Sequence, residues 1–187
     1  MGSILEDLPC FISIDIEAAG PIPCQYALLS IGACSLSVPR KTFYVELIPD
    51  RERSDPRSLE VHGLDLSRLA WEGLPPDEAL RRFAAWLAEV IPPGRTPLMV
   101  GFNAPFDWMF INDYFYRYLG TNPFGHSAVD IKAVYLGATG KSWAETSGTY
   151  LHPLYLDGGK LTHNAFEDAT AQADILVGLL QEPFALK

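Results

Sequence analysis

The chain has 187 residues, of which 48% are hydrophobic and 20% are charged, so it can bury one sizeable globular core. Its 14 basic and 23 acidic residues give a net charge of −9, which argues against electrostatic binding of duplex nucleic acid over a broad surface. The longest mostly apolar uncharged run, roughly residues 26–38, is shorter than the ~20 residues that a bilayer-spanning helix needs, so no membrane span is predicted.

The N-terminus and the cysteines predict the compartment. Glu6 and Asp7 stand where a secretory signal would carry basic residues, so no signal peptide is expected. The number of cysteines is odd and they form no Cys-x-x-Cys motif: Cys10, Cys24 and Cys34. Reduced thiols in a cytoplasmic protein are therefore the expectation. No linker interrupts the chain, so a single domain is predicted over residues 1–187.

The first predicted element is a short, buried, β-branched strand at residues 11–17. Side chains alternate along a strand, so its three isoleucines share one face, whereas Asp15 and Glu17 share the other. Two like charges at the end of a buried strand repel each other and are costly to desolvate. A bound cation is the simplest way to make this arrangement favourable.

The remaining elements indicate an α/β fold. Strands at residues 26–36 and 42–48 complete an antiparallel meander with the first strand. After the meander we predict a short helix at 56–61, a loop at 65–76 and a helix from its cap Asp77 to Val90. A strand at 97–102 and a helix at 104–118, capped by Asn103, follow. The last predicted elements are a strand at 127–130, a short helix at 131–136, an irregular section at 139–160 and a helix at 164–181. Such an order predicts a mixed sheet with helices on both faces.

Two acidic residues fall on the apolar faces of predicted helices. Asp107 shares its face with Ile111, Phe115 and Tyr118, and Asp168 shares its face with Gln172, Ile175 and Leu179. Both carboxylates are therefore predicted to point into the fold. For Asp107 the alternative is a carboxylate favoured near a helix N-terminus by the helix dipole.

His163 is the histidine that fits the same site. It precedes Asp168 by five residues, so the two side chains converge only if His163 lies on the loop before the helix. His126 and His152 are interpreted as surface residues. The resulting set is Asp15, Glu17, Asp107, His163 and Asp168. Carboxylate oxygens suit Mg²⁺ or Mn²⁺, two such ions could clamp a phosphodiester, and a neutral histidine could accept a proton from the attacking water.

Three segments of the chain resemble the exonuclease motifs of the DEDD family, in its DEDDh subgroup. They are Asp15-Ile16-Glu17, Asn103-Ala104-Pro105-Phe106-Asp107 and His163-Asn164-Ala165-Phe166-Glu167-Asp168-Ala169. Val61-His62-Gly63-Leu64 is similar to a Val-His-Gly-Ile stretch in the proofreading and ribonuclease T branches. The resemblance spans residues 11 to about 180, and it depends on the order and spacing of the motifs together.

This resemblance implies a ribonuclease H-like fold with a five-stranded mixed sheet whose second strand is antiparallel to the others. It implies 3′→5′ release of nucleoside 5′-monophosphates from single-stranded RNA or DNA. By the same resemblance, Asp15, Glu17 and Asp168 hold one metal ion, Asp15 holds a second with Asp107 acting on it directly or through water, and His163 is the general base. Residues that match nucleotide contacts in relatives are Ala18, Val61, His62 and Phe106. Ala18-Ala19 departs from the family pattern, because many members carry a hydroxyl side chain there.

Several alternatives remain open at this stage. The chain could be a non-catalytic nucleic-acid-binding module on the same fold, or a phosphodiesterase acting on a small nucleotide. The sequence leaves RNA or DNA open, and it leaves a homodimer open because relatives are often dimers. The section at 139–160 is our candidate for substrate choice: its aromatic residues Trp143, Tyr150 and Tyr155 either stack on bases or pack the loop down.

Overall fold

A five-stranded sheet forms the centre of the fold in the computed structural model, which describes residues 10–156 and 161–181. The strands are β1 (Cys10–Ala18), β2 (Leu28–Ser35), β3 (Thr42–Glu46), β4 (Pro97–Gly101) and β5 (Ala128–Asp130). Their order is β3-β2-β1-β4-β5. β2 pairs antiparallel with β1 and β3, whereas β1-β4 and β4-β5 are parallel. The mixed sheet with an antiparallel second strand is therefore confirmed.

Helices cover both faces of this sheet. They are α1 (Pro56–His62), α2 (Leu66–Glu72), α3 (Pro76–Val90), α4 (Pro105–Leu119), α5 (Ile131–Thr139), α6 (Gly148–Tyr155) and α7 (Ala165–Gln181). A turn of 3₁₀ helix occupies Trp143–Thr146. Within the described residues, no helix combines the length and hydropathy needed to cross a membrane.

Of the three hydrophobic cores in the described residues, the two largest lie between the sheet and its helices. The three isoleucines of β1 are buried together with side chains of α3 and α4 in the first core. The second core joins Val100 of β4 to buried side chains of α5, α6 and α7. Because β1 lies at the centre of the sheet, its carboxyl end lies between elements from both layers.

Two segments are more helical than the sequence predicted. The section at residues 65–76 was predicted to be loop, but it contains α2, whose start is capped by the Asp65 carboxylate accepting from the backbone N–H groups of Ser67 and Arg68. Leu69 of this helix is fully buried. The section at 139–160 was predicted to be irregular, but it forms the 3₁₀ turn and α6. Residues 157–160 of that section lie outside the described residues.

Two predicted helix caps were wrong. Asp77 lies inside the first turn of α3, whose N-cap is Pro75. Asn103 has a positive φ of 69° and precedes Ala104, which is the N-cap of α4 and makes no side-chain cap hydrogen bond. The two caps were predicted from residue type, because Asp and Asn commonly cap helices. In the structure α3 begins at Pro76 and α4 begins at Pro105, and proline favours the first helical position.

The N-terminus of α7 lies directly against the sheet. A Cβ atom at Gly32 of β2 would collide with the carbonyl oxygen of Ala165, the first residue of α7. Only glycine permits this close approach of helix to strand. The loop that precedes α7 is consequently held beside the carboxyl end of β1, where Asp15 and Glu17 lie.

Candidate active site

All the site residues predicted from the sequence line one open cleft of about 530 Å³. The acidic members come from three elements: Asp15 and Glu17 from β1, Asp107 from α4 and Asp168 from α7. Ala18, Val61, His62 and Phe106 line the same cleft. The predicted inward orientation of Asp107 and Asp168 is confirmed, because both residues are buried.

Asp107 and Asp15 are fixed by hydrogen bonds across the fold. The backbone N–H of Ile16 donates to Oδ1 of Asp107 at 3.0 Å, which ties the start of α4 to the centre of β1. The side-chain amide of Gln172 donates to Oδ1 of Asp15 at 2.6 Å. In both carboxylates Oδ2 takes no part in these two hydrogen bonds.

Asp168 builds the turn that carries His163. Its Oδ1 accepts from the Thr162 backbone N–H at 2.7 Å, and its Oδ2 accepts from the His163 backbone N–H at 2.9 Å. His163 lies before the helix start with a positive φ of 59°, as the prediction required. Glu17, His163 and Asp168 each offer a ligand atom, and these atoms lie within 4.8 Å of one another.

Burial and mutual repulsion disfavour the negative charge of this cluster. Burial raises the pKa of Asp15 well above its usual range, and the charges of Asp107, Asp168 and Glu17 raise it further. Burial, reinforced by Asp168 and Asp107, raises the pKa of Glu17 to about 8. Burial also raises the pKa of Asp107 and of Asp168.

A divalent cation fits this donor set. The carboxylate oxygens of Glu17 and Asp168, with a ring nitrogen of His163 close by, could hold a metal ion, and carboxylate oxygens are ligands that hard divalent cations accept. The raised pKa values mean that the carboxylates lack compensating positive charge, which a cation would supply.

The pKa of Glu17 predicts how the metal-free protein responds to pH. Because its pKa rises from 4.5 in the unfolded chain to about 8 in the folded one, the folded state binds more protons between these values. The associated stabilisation is complete below about 4.5 and is lost as pH rises through about 8. We expect the melting temperature in EDTA to fall from about pH 5 to about pH 9, and to fall less steeply in Glu17→Gln.

Glu89→Gln serves as the matched control, because Glu89 is exposed on α3 and does not line the cleft. Its melting temperature should follow the wild-type pH dependence. Parallel curves for wild type and Glu17→Gln would contradict the assignment of this pH dependence to Glu17.

Sequence reasoning missed two residues that support the cleft. Asp130 ends β5 and accepts from the Ala104 N–H with Oδ2 at 2.7 Å and from the Ala133 N–H with Oδ1 at 2.8 Å. It thereby fixes the turn before α4. Gln172 was assigned only to an inward helix face. The signal for Asp130 was available, since β4 and β5 are parallel and their carboxyl ends meet at one edge of the sheet.

The remaining histidine and aromatic predictions have mixed outcomes. His126 is exposed as predicted, but His152 is half-buried, with its ring 5.6 Å from that of Phe102. Tyr155 packs against Gly178 of α7, so for this residue the packing alternative holds. Trp143 and Tyr150 are exposed and do not line the cleft in the part of the chain described.

Fold and site together define a ribonuclease H-like nuclease. No protein-family model matches the chain. The chain is 43% identical over 169 residues to the 3′-5′ DNA exonuclease Cap18 of Escherichia coli, and the match covers 90% of each protein. The chain therefore belongs to the DEDD family of 3′-5′ exonucleases and is an enzyme that hydrolyses phosphodiester bonds. Membership of this family implies dependence on a divalent metal.

Solved structures share the fold. The nuclease domain of 3′hExo, a DEDDh family member bound to rAMP, matches with a TM-score of 0.74 and 15% identity, covering 95% of this chain and 94% of that one. The zinc-bound complex of E. coli exonuclease I with single-stranded DNA matches with a TM-score of 0.69 and 19% identity, covering 94% of this chain and 41% of that one.

Proposed function

We propose that this chain degrades single-stranded DNA from the 3′ end and releases nucleoside 5′-monophosphates by a two-metal-ion mechanism with His163 as general base. The observation that carries the proposal is the convergence of four carboxylates and His163 on one open cleft. The choice of DNA is supported by the 43% identity to a protein named as a DNA exonuclease. RNA is the competing substrate.

The carboxylates would hold Mg²⁺ or Mn²⁺. Asp15, Glu17 and Asp168 would hold one ion, and Asp15 would hold the second, with Asp107 acting on it directly or through water. When bound, such a pair of ions supplies positive charge to the phosphate oxygens and acidifies water. The chain contributes the fixed geometry, since Asp107 and Asp168 are anchored by backbone N–H groups.

His163 would accept the proton of the attacking water. Its side chain is exposed in the cleft, while its backbone N–H is held by Asp168. The anchoring through the backbone leaves the imidazole outside that hydrogen bond and beside the carboxylates. Proton acceptance from the attacking water is the step that this position allows.

The terminal nucleotide would contact the part of the cleft that Ala18, Val61, His62 and Phe106 line. A cleft of about 530 Å³ lies within the range of pockets that bind small ligands. His62 accepts from the Leu64 backbone N–H with Nδ1 at 3.0 Å, so the proton of the neutral ring is on Nε2. Burial lowers the pKa of His62 and favours this neutral form. Val61 and Phe106 add apolar surface, and Ala18 offers its backbone.

Arg57 is expected to bind a phosphate of the substrate. Arg57 is an arginine that lines the cleft, and its side chain is 90% exposed. Its Nη2 forms an ion pair with Oδ2 of Asp55 at 3.2 Å. We expect Arg57→Ala to raise KM for an oligonucleotide by roughly fivefold with little change in kcat, and to reduce the slope of log KM against log salt by about one.

Steady-state kinetics across a series of salt concentrations measure both effects. Arg82→Ala is the matched control, since Arg82 is exposed on α3, lies outside the described wall of the cleft and also forms an ion pair, with Glu78. Equal KM values and equal salt slopes for the two variants would remove Arg57 from the binding site.

The proposed function is tested with matched, 5′-labelled single-stranded DNA and RNA of one sequence. With Mg²⁺ or Mn²⁺ we expect a ladder of labelled products shortened from the 3′ end and the release of nucleoside 5′-monophosphates. We expect no products in EDTA, and we expect DNA to be cleaved faster than RNA. Faster cleavage of RNA would overturn the substrate assignment. Cleavage of a dinucleotide without cleavage of longer strands would instead establish a phosphodiesterase for small nucleotides.

A further inference from the structure

A buried glutamine of α7 joins β1 to the residue that follows β4. Gln172 lies on α7 one turn after Asp168, and it has no exposed surface. Its side-chain Nε2 donates to Oδ1 of Asp15 on β1 at 2.6 Å. Its Oε1 accepts from the backbone N–H of Phe102, which directly follows β4, at 2.9 Å.

These two partners fix the orientation of the amide. The N–H of Phe102 can only donate, so it must meet Oε1, and the Asp15 carboxylate can only accept when ionised, so it must meet Nε2. A rotated amide would place oxygen against oxygen and N–H against N–H. The donor that Gln172 offers to Asp15 is therefore determined by the backbone of Phe102.

Packing alone does not explain an amide at this position. Burying an amide is costly unless its groups are hydrogen-bonded, and a leucine of similar volume would fill the same space without that cost. Apart from the site residue Asp168, the other buried residues of α7 are apolar, including Ala169, Ala173 and Ile175. The two hydrogen bonds are what distinguish Gln172 from these neighbours.

We infer that Gln172 is a positioning residue for Asp15 in metal binding. Its amide holds Oδ1 and thereby sets the rotation of the carboxylate about the Cβ–Cγ bond, leaving Oδ2 for the metal. Among the ion pairs of the described residues, none involves Asp15, so the carboxylate is oriented by a neutral donor that does not cancel its charge. The inference rests on the proposed role of Asp15 as a metal ligand.

The experiment compares Gln172→Leu with wild type in Mn²⁺ binding, measured by isothermal titration calorimetry without substrate. We expect the affinity to fall by ~10-fold or more, the range typical when a group behind a metal ligand is removed. The exonuclease rate should fall at low Mn²⁺ and recover substantially at saturating Mn²⁺. Thr170→Val is the matched control: it also removes a polar group from α7, but its hydroxyl donates to the Phe166 carbonyl and Thr170 lies outside the described wall of the cleft.

The outcomes separate this inference from the proposed function. Unchanged Mn²⁺ affinity in Gln172→Leu, or a rate loss that saturating Mn²⁺ does not reduce, would overturn the positioning role while wild-type activity remained intact. A wild type that neither binds Mn²⁺ nor cuts DNA would overturn the proposed function instead. If Gln172→Leu does not fold in EDTA by circular dichroism, Gln172→Asn gives the same comparison, because its amide is too short to reach both partners.

Discussion

Asp15→Asn is expected to abolish most exonuclease activity and at the same time to raise the melting temperature of the metal-free protein. Burial and three neighbouring carboxylates raise the pKa of Asp15 well above its usual range, so its charge destabilises the fold when no cation is bound. Asparagine has the same shape, and its Oδ1 still accepts from Gln172. The substitution therefore removes the repulsion and keeps the hydrogen bond.

The loss of activity should be large because Asp15 is the proposed ligand shared by both ions. Metal stabilisation of charge in a transition state contributes several kcal/mol, and about 4 kcal/mol corresponds to ~10³-fold in rate. We expect a reduction of at least that order in kcat/KM, together with loss of the rise in melting temperature that Mn²⁺ gives to the wild type.

Melting curves in EDTA and in Mn²⁺, combined with cleavage of labelled DNA, test both halves of this expectation. Asp174→Asn is the control, since Asp174 is exposed on α7 and forms an ion pair with Arg40. It should retain full activity and show no gain in melting temperature. Retained activity in Asp15→Asn would remove Asp15 from the metal site, and a lower melting temperature in EDTA would contradict the electrostatic account.

The sequence predicted best those elements in which hydrophobic residues repeat with the period of a strand or a helix. The isoleucines of β1 alternate with Asp15 and Glu17, and the strand forms with the predicted face buried. Asp107 and Asp168 were aligned with apolar residues at helical spacing, and both are buried at the start of their helices. In each case the pattern lies within one element, so neighbouring residues were enough to find it.

What the sequence did not predict depends on contacts between distant segments. Gln172 and Asp15 are 157 positions apart, and Ala104 and Asp130 are 26 apart, so neither pairing has a local signature. The helix at Leu66–Glu72 was missed for a different reason: its seven residues give too few turns for a periodic pattern, although its Asp65 cap was visible.

The site carboxylates also hold the backbone around them. Asp107 accepts from Ile16, between the two acidic residues of β1, and Asp168 accepts from Thr162 and His163. Replacing either residue would therefore disturb the local structure as well as metal binding. His163 offers a cleaner separation of chemistry from structure, because its hydrogen bond to Asp168 uses the backbone and not the imidazole.

His163→Asn is expected to slow cleavage by ~10²–10⁴-fold, the usual effect of removing a general base. Asparagine is chosen because His163 has a φ of 59°, a conformation that asparagine tolerates better than alanine does. The backbone N–H still donates to Asp168, so the turn should persist. Mn²⁺ affinity should stay close to the wild-type value, in contrast to that of Asp15→Asn.

Single-turnover cleavage and calorimetric Mn²⁺ binding distinguish the two roles that the geometry allows for His163. Its ring nitrogen lies with Glu17 and Asp168 ligand atoms inside 4.8 Å, so a large loss of Mn²⁺ affinity in His163→Asn would make it a metal ligand instead of the base. For a base, added imidazole should partly restore the rate of His163→Gly, which leaves space for it. His126→Asn, an exposed change outside the described wall of the cleft, should cleave like wild type.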